Sequence, residues 1–420
     1  MKKKMKLSKL YYWVLSGMIL FSIGSCKKDY NSTGYTPGAG APVITSVSTL
    51  YRSVKDTAVT TVITYDASGT ASTVVNTNTG HQTISALDST TLTGKKQNLY
   101  VIHGSNLGSA TSVMFNGTVA YFNRALGNDN TIVVSIPLAV PTTGAAATNK
   151  ITVVTLHGTT TFGFTVLTPP PTLATISDFD FWNGSSITLT GVGFASVTAV
   201  GLSGSATTAT IVSQTDDQLV IKFPASTVVR ANLVFSYSSA GKTLTLTTKE
   251  EFNNLDNAFV IFGDDFAPNW QDASWSGPSG KSSAAVHAGT SSALVTYPAG
   301  GWKIEGWANW YPSFDYSPDY KFFTFWVKGG TVDHDLTLVG DQMAGGYGQN
   351  TSPVAAQVVH VPAKVWTFFK IPLGTPSSND PTLLNFWKNG TPAKQLGFFL
   401  KGQGGDVDET MYFDEVAFLK

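Results

Sequence analysis

Four large aromatic side chains, Trp302, Trp307, Trp310 and Tyr311, lie within ten residues of one another, interrupted by glycine and asparagine and closed by Pro312. On a strand, Trp302 and Trp307 point to opposite faces, so the four rings cannot all enter one core. Trp310 and Tyr311 precede the proline, which places them at a strand end or in a loop. Trp270 and Trp275 occupy a second segment rich in glycine, proline and serine. Rings held out from loops on a rigid scaffold stack well on the apolar C–H face of a pyranose. The sugar hydroxyls then need polar partners at the ring edges. A polar, glycine-rich loop carrying Asp341, Gln342, Tyr347, Gln349 and Asn350 would supply them. The pattern reads as a carbohydrate platform. The competing reading is that these rings fill a core, and that reading is preferred for Trp326, Trp366 and Trp387.

Catalysis finds less support. Glycoside hydrolysis uses two carboxylates facing each other across the sugar. Asp264, Asp265, Glu305, Asp341 and Asp414 are available, but nothing in their spacing singles out a pair. Glu305, lying among the tryptophans, is the best lone acid, and a hydrogen-bonding or solvated role suits it better than catalysis. Asp333-His334-Asp335 looks metal-like, yet successive strand residues point to opposite faces, so it reads as solvated. Asp264, Asp265 and Asp414 are hard oxygen donors near the two ends of one domain and are candidates for a structural calcium. No other cofactor is expected; no phosphate-binding loop, nucleophile elbow or zinc motif occurs.

The elements that must position these residues are strands. The chain has 420 residues, enough for two to four domains. Charged residues make up 13%, and Lys plus Arg balance Asp plus Glu at 27 each. That neutrality argues against nucleic acid as a partner. Hydrophobic residues make up 42%, against intrinsic disorder. Only five glutamates occur, against a helical-bundle or coiled-coil reading. Short runs rich in Thr, Val and Ile, separated by Gly, Asn and Asp, predict an all-β chain.

Residues 43–255 contain a repeat. Gly104, Leu107, Val113, Gly117, Ile132 and Pro137 register with Gly191, Phe194, Val200, Gly204, Leu219 and Pro224 at a constant offset of 87. The opening strands, Pro42-Val43-Ile44 and Pro171-Thr172-Leu173, are offset by 129, so the first copy carries about 42 extra residues within roughly 50–95. The β-branched run Val59–Tyr65 makes part of that insertion a hairpin. Leu99–Gly108, Val113-Met-Phe-Asn-Gly117 and Val133–Pro137 resemble an IPT/TIG immunoglobulin-like domain. The second copy departs in detail, with Gly191-Val-Gly-Phe194 and Leu202-Ser-Gly204, but keeps the spacing. The resemblance implies two immunoglobulin-like β-sandwiches, 42–168 with the insertion and 169–255, acting as spacers, with a semi-rigid Pro169-Pro170-Pro171 between them.

Eight of the ten tryptophans fall in 256–420, which predicts a larger β-sandwich. Phe262-Gly-Asp-Asp-Phe266, Gly306-Trp-Ala-Asn-Trp-Tyr311, Phe323–Gly329, Trp366–Pro372 and Tyr412–Val416 resemble the C-terminal glycan-binding domain of Bacteroidota surface glycan-binding proteins, itself similar to jelly-roll carbohydrate-binding modules. The resemblance places the sugar platform on Trp310, Tyr311, and Trp270 or Trp275. At the N-terminus, five lysines by residue 9 and an apolar run to Ile23 read as a signal peptide over 1–25. Ile23-Gly24-Ser25-Cys26 resembles a lipobox, which implies lipidation at Cys26, the one cysteine of the chain, and a flexible tether over 26–41. Together these features imply a lipid-anchored outer-membrane protein at the cell surface. It would bind a polysaccharide, with a β-linked plant glycan such as β-glucan, xyloglucan or mannan preferred, and cooperate with a TonB-dependent transporter. A glycoside hydrolase with unpaired acids and a protein-binding adhesin are the two other readings.

Overall fold

The computed structural model describes residues 37–55, 59–65, 71–77, 82–86, 88–275, 277–300, 302–311, 314–401 and 407–420; side chains are described except for 52–86, 302 and 401. The signal peptide, Cys26 and most of the tether lie outside these residues. Regular structure among the described residues is strand, with four single-turn 3-10 helices. No helix among them is long and apolar enough to cross a membrane. The chain divides into two compact units, 1–167 and 168–420.

In the first unit, Val43–Thr49, Leu99–Ser105 and Thr131–Ser135 form a three-stranded antiparallel sheet. Gly158–Gly163, Lys150–Thr155, Ala110–Phe115 and Thr118–Ala120 form the facing four-stranded sheet. Alternate residues of both, among them Val47, Ile102, Val113, Phe115, Val134, Ile151 and Val153, close one core. Within the extra segment, Val59–Tyr65 pairs with Ala71–Thr77 as a two-stranded hairpin, and Tyr51–Lys55 pairs with Gln82–Ala86.

The second unit begins with a sandwich of the same plan, its core built on Phe181, Leu189, Phe194, Val200, Leu219, Phe235 and Phe252. The repeat has one steric cause in both copies. A Cβ on Gly104 would sit 1.9 Å from the Val43 carbonyl oxygen, and one on Gly191 would sit 1.9 Å from that of Thr172. The backbone N–H of Gly104 donates to Asn130 O, and that of Gly191 to Asp217 O. Glycine is required where the opening strand crosses this close.

Beyond Leu255–Asn257 the chain forms a larger antiparallel sandwich. One sheet runs in the order Ser279–Ser282, Ser292–Tyr297, Glu409–Leu419, Phe322–Lys328, Trp366–Pro372, with Phe259–Phe262 also pairing to Glu409–Leu419. The other runs Gln271–Asp272, Trp302–Ala308, Gln395–Lys401, His334–Gly340, Val358–Val361. An aromatic-rich core fills the space between them, including Trp307, Phe323, Phe325, Phe386, Trp387, Phe398, Phe413 and Phe418. Trp387 and Trp326 are buried and Trp366 is half-buried, in keeping with their expected packing role.

The two sandwiches of this unit are docked on each other. The Phe179 ring stacks on Phe368, with centroids 5.2 Å apart, and on Trp326 at 6.3 Å. Lys370 Nζ donates to Glu251 at 2.6 Å and to Asn253 Oδ1 at 2.7 Å, and Arg230 Nε donates to the Lys420 carbonyl at 3.0 Å.

Candidate functional site

The strand Trp302–Ala308 organises the site. Lys303, Glu305 and Trp307 point between the sheets: Lys303 Nζ donates to Thr296 O at 2.6 Å across the sandwich, and Trp307 meets Phe398 and Phe413 edge-on. Ile304 points the other way and forms a small second cluster with Val339 and Phe399 on the outer face of the five-stranded sheet, with Tyr347 packed against it. Gly306 lies on that outer face opposite Gly397 of the neighbouring strand. A Cβ on Gly306 would fall 1.8 Å from the Tyr347 hydroxyl, and one on Gly397 would come within 3.1 Å of the Tyr347 ring. The paired glycines make a notch that accepts Tyr347. Its hydroxyl donates to Ala273 O at 2.9 Å, and its ring meets Trp275 edge-on. Burial, with the Glu305 and Asp272 carboxylates nearby, pushes the Tyr347 phenol far above its ordinary range.

Trp275 pairs with Ile304 as an isolated bridge, its N–H donating to Ile304 O at 2.9 Å. At the other end of the strand, the Asn309 N–H still donates to Lys394 O, and the chain then leaves the sheet. Trp310 and Tyr311 follow, 50% and 87% exposed, before Phe314 returns to the core. From Ile304 to Trp310 a strand advances about 20 Å. Trp275 is 39% exposed. Among the described residues Trp275 and Trp310 are the exposed tryptophans.

The structure corrects several expectations. Trp307 is wholly buried because it falls on the inward phase of its strand, and Trp270 is buried against Phe259 and Phe314. Neither can face a sugar. Trp302 lies on the strand as expected, with only its backbone described. Asp341 is committed to structure: its Oδ1 accepts the N–H groups of Lys394 and Gln395 at 2.9 Å each, and its Oδ2 accepts from Gln342 Nε2. Asn350 is likewise used, donating to Ala344 O and accepting the Ser352 N–H. Tyr347 supports Trp275, Gln342 is half-buried, and Gln349 is exposed. Glu305 is 1% exposed and takes a 2.8 Å hydrogen bond from Ser274 Oγ; burial pushes its carboxyl well up. It cannot act as an acid on a bound sugar.

The three calcium candidates do not form one ligand group, although Asp264 and Asp414 line one groove. Asp264 accepts the N–H groups of Thr290 and Ser291, Asp265 pairs with Lys281 at the surface, and Asp414 accepts those of His287, Ala288 and Glu415. Among the described residues, the group of ionisable side chains close enough to share an ion is Asp178, His287 and Glu415. Sequence reading missed it because Asp178 comes from the immunoglobulin-like sandwich, more than a hundred residues from the other two. Asp333 and Asp335 are exposed beside His360 as expected, but His334 is not solvated: it lies on the opposite strand phase, mostly buried and facing the buried Glu409.

No family profile matches the chain, and no curated relative matches it. Among solved structures, the surface glycan-binding protein PbSGBP-B of Prevotella bryantii aligns over 91% of this chain and 99% of its own, at 16% identity and a TM-score of 0.50. The chain has the fold of a surface glycan-binding protein. Two further structures of that description align less closely. The SGBP-B of a complex xyloglucan utilization locus in Bacteroides uniformis covers 78% of this chain and 96% of its own, at 16% identity and a TM-score of 0.38. The SGBP-B of a mixed-linkage glucan utilization locus in Bacteroides ovatus, solved with a mixed-linkage heptasaccharide, covers 92% and 96%, at 9% identity and a TM-score of 0.27.

Proposed function

We propose that this chain is a non-catalytic surface protein that captures an extended polysaccharide along the Trp302–Ala308 strand of its C-terminal sandwich. The observation that carries the reading is the adjacent pair Trp310 and Tyr311, left in water by a scaffold that buries Trp270, Trp307, Trp326 and Trp387. Exposed apolar area is unfavourable by roughly 25 cal/mol per Å², so such a pair marks a surface that is covered in use. Trp275, about 20 Å back along the strand, adds a second contact. A line of rings suits a straight, β-linked chain such as β-glucan, xyloglucan or mannan. Gln349, which is exposed, would meet hydroxyls, and stacking with hydrogen bonding requires no cofactor.

The fold shared with the Prevotella surface glycan-binding protein supports this reading. Lipidation at Cys26 would hold the chain at the outer membrane and the cell surface, where many copies add avidity and pass glycan to a TonB-dependent transporter. The test is calorimetry or affinity electrophoresis of the full chain against a polysaccharide panel, beside Trp310→Ala and Tyr311→Ala. Binding to one glycan class that both folded variants lose is the expected result. Binding unchanged in both, or none to any glycan, defeats the proposal. Steady release of reducing sugar would instead indicate the hydrolase.

A further inference from the structure

The joint between the two sandwiches of the 168–420 unit holds a concentration of charge that neither sandwich explains alone. Asp178 is 8% exposed, Asp180 0%, Asp414 1% and Glu415 3%. His287 lies among them, its ring stacked on Trp326 with centroids 3.7 Å apart. His287 Nδ1 is 2.9 Å from Glu415 Oε2 and 3.9 Å from Asp178 Oδ2. His287 Nε2 lies 3.2 Å from the Ser177 carbonyl oxygen, which can only accept, so the Nε2 proton is donated there. With Nε2 committed there, Nδ1 is the ring atom that faces the two carboxylates, within hydrogen-bond reach of Glu415.

The surroundings answer this cluster only in part: Asn253 Nδ2 donates to Asp180 Oδ1 at 2.7 Å, the Asp180 N–H to Asp178 Oδ1 at 2.8 Å, and three backbone N–H groups to Asp414. Lys370, whose charge acts on Asp180, is bonded to Glu251 and Asn253. Asp180 Oδ2 and Glu415 Oε1 are buried without a hydrogen-bond partner. Glu415 holds its place at φ +49°, in the left-handed region that a glutamate seldom adopts. Burial, and then the neighbouring carboxylates, push the carboxyls of Asp178, Asp180 and Glu415 well above their ordinary range, with His287 opposing the shift at Asp178 and Asp180. A groove of about 280 Å³ lined by Trp182, Asp256, Asp264, Gly289 and Glu415 opens against the cluster and gives an ion a path from solvent.

We propose that Asp178, His287 and Glu415 form a binding site for a divalent transition-metal ion of the zinc class, bridging the immunoglobulin-like and C-terminal sandwiches. The three ligand atoms lie within 4.8 Å of one another. Ligands about 2.0–2.1 Å from a tetrahedral zinc ion are about 3.3 Å apart, and the 2.9 and 3.9 Å separations straddle that value. The imidazole selects against calcium, which takes oxygen ligands. The Nε2–H bond to a backbone carbonyl is the outer-shell contact that fixes a metal-binding tautomer. Because Asp178 comes from one sandwich and the other two ligands from its neighbour, the ion ties the joint together. The site is separate from the aromatic surface, so it stands or falls independently of glycan binding.

The experiment uses the full, tag-free chain, stripped with a chelator, dialysed, and titrated with Zn²⁺ alone and Ca²⁺ alone, with bound metal counted by mass spectrometry. One Zn²⁺ per chain is expected, with a rise in melting temperature that grows with free Zn²⁺. Asp178→Asn and His287→Gln should each weaken binding at least tenfold. Should Glu415→Gln fail to fold, these two variants decide the question; should they fail as well, the Zn²⁺-dependent melting shift of the unaltered chain decides it. Zinc bound equally by the variants, no zinc-dependent shift, or calcium bound as tightly as zinc would overturn the proposal, and a proton shared between Asp178 and Glu415 would then account for the cluster.

Discussion

The Tyr347 ring stands edge-on to Trp275, with centroids 5.2 Å apart and planes at 85°. The exposed tryptophan is thereby held by a half-buried tyrosine, itself seated over the facing glycines Gly306 and Gly397. Edge-to-face pairs of this kind contribute about 0.5–1.5 kcal/mol beyond their area, and they fix the orientation of the outer ring.

Gly306→Ala should therefore disturb binding from a distance. The added methyl group meets the Tyr347 hydroxyl, so the ring must leave its notch and Trp275 loses its support. Overpacking of this kind destabilises by about 1–3 kcal/mol. Tyr347→Phe keeps the ring and loses only the bond to Ala273, about 1 kcal/mol. Urea unfolding beside glycan affinity electrophoresis should show Gly306→Ala impaired in both and Tyr347→Phe impaired mainly in stability. Unchanged affinity in Gly306→Ala would remove Trp275 from the site.

Trp307 and Trp310 lie three residues apart and should answer mutation in opposite ways. Trp307→Ala opens a cavity in the core and should destabilise by about 3–5 kcal/mol. Trp310→Ala and Tyr311→Ala remove exposed rings and should change stability by no more than about 0.5 kcal/mol while weakening glycan binding. Thermal unfolding and calorimetry on the same samples separate the two effects. A strongly destabilised Trp310→Ala would mean that its ring packs rather than binds.

Much of this division was legible in the sequence. The glycine repeat at an offset of 87 corresponds to one close crossing in both copies, made by Val43 and Thr172, which the sequence had paired at 129. The proline after Tyr311 marked the exposed pair. Trp270 was misjudged because its Gly/Pro/Ser-rich surroundings resemble a loop, whereas the turn there, closed by its own N–H on Ala267 O, drives the ring inward. Asp341 and Asn350 looked free because local polarity does not reveal that a loop uses its own side chains as staples. The Asp178–His287–Glu415 group was invisible, since tertiary docking alone assembles it.

Glu305 gives a pH signature. Burial raises its folded-state pKa well above the ordinary 4.5, with Asp272 adding to the shift and the Ser274 hydroxyl and Lys303 opposing it. Below about pH 4.5 the carboxyl is protonated in both the folded and unfolded chain and contributes no pH dependence. As pH rises above that point, the unfolded chain releases the proton and the folded one resists, so this group's contribution to stability falls until the folded pKa is passed. Glu305→Gln keeps an acceptor for Ser274 and has no charge to bury. Denaturant unfolding across pH 4–8 should show the variant gaining on the parent as pH rises. A constant difference between the two would show that Glu305 is ionised in the folded chain.

Phe179 tests whether the two sandwiches of the 168–420 unit unfold together. Its ring touches Phe252 of its own sandwich at 6.1 Å and Phe368 and Trp326 of the neighbour at 5.2 and 6.3 Å. The polar contacts around it, Lys370 with Glu251 and Arg230 with the Lys420 carbonyl, are partly solvated and contribute little each. In the metal-free chain the apolar stack and the His287 contact to the Ser177 carbonyl are therefore the main sources of coupling. Phe179→Ala removes a half-buried ring, a loss of about 2 kcal/mol, below the range for a fully buried one. Calorimetry of the parent should show the two sandwiches melting in one transition, and the variant should split it, the immunoglobulin-like part unfolding first because its core carries fewer aromatic rings. A single transition of unchanged width in Phe179→Ala would place the coupling in the polar contacts, and Lys370→Met would then be the variant that splits it.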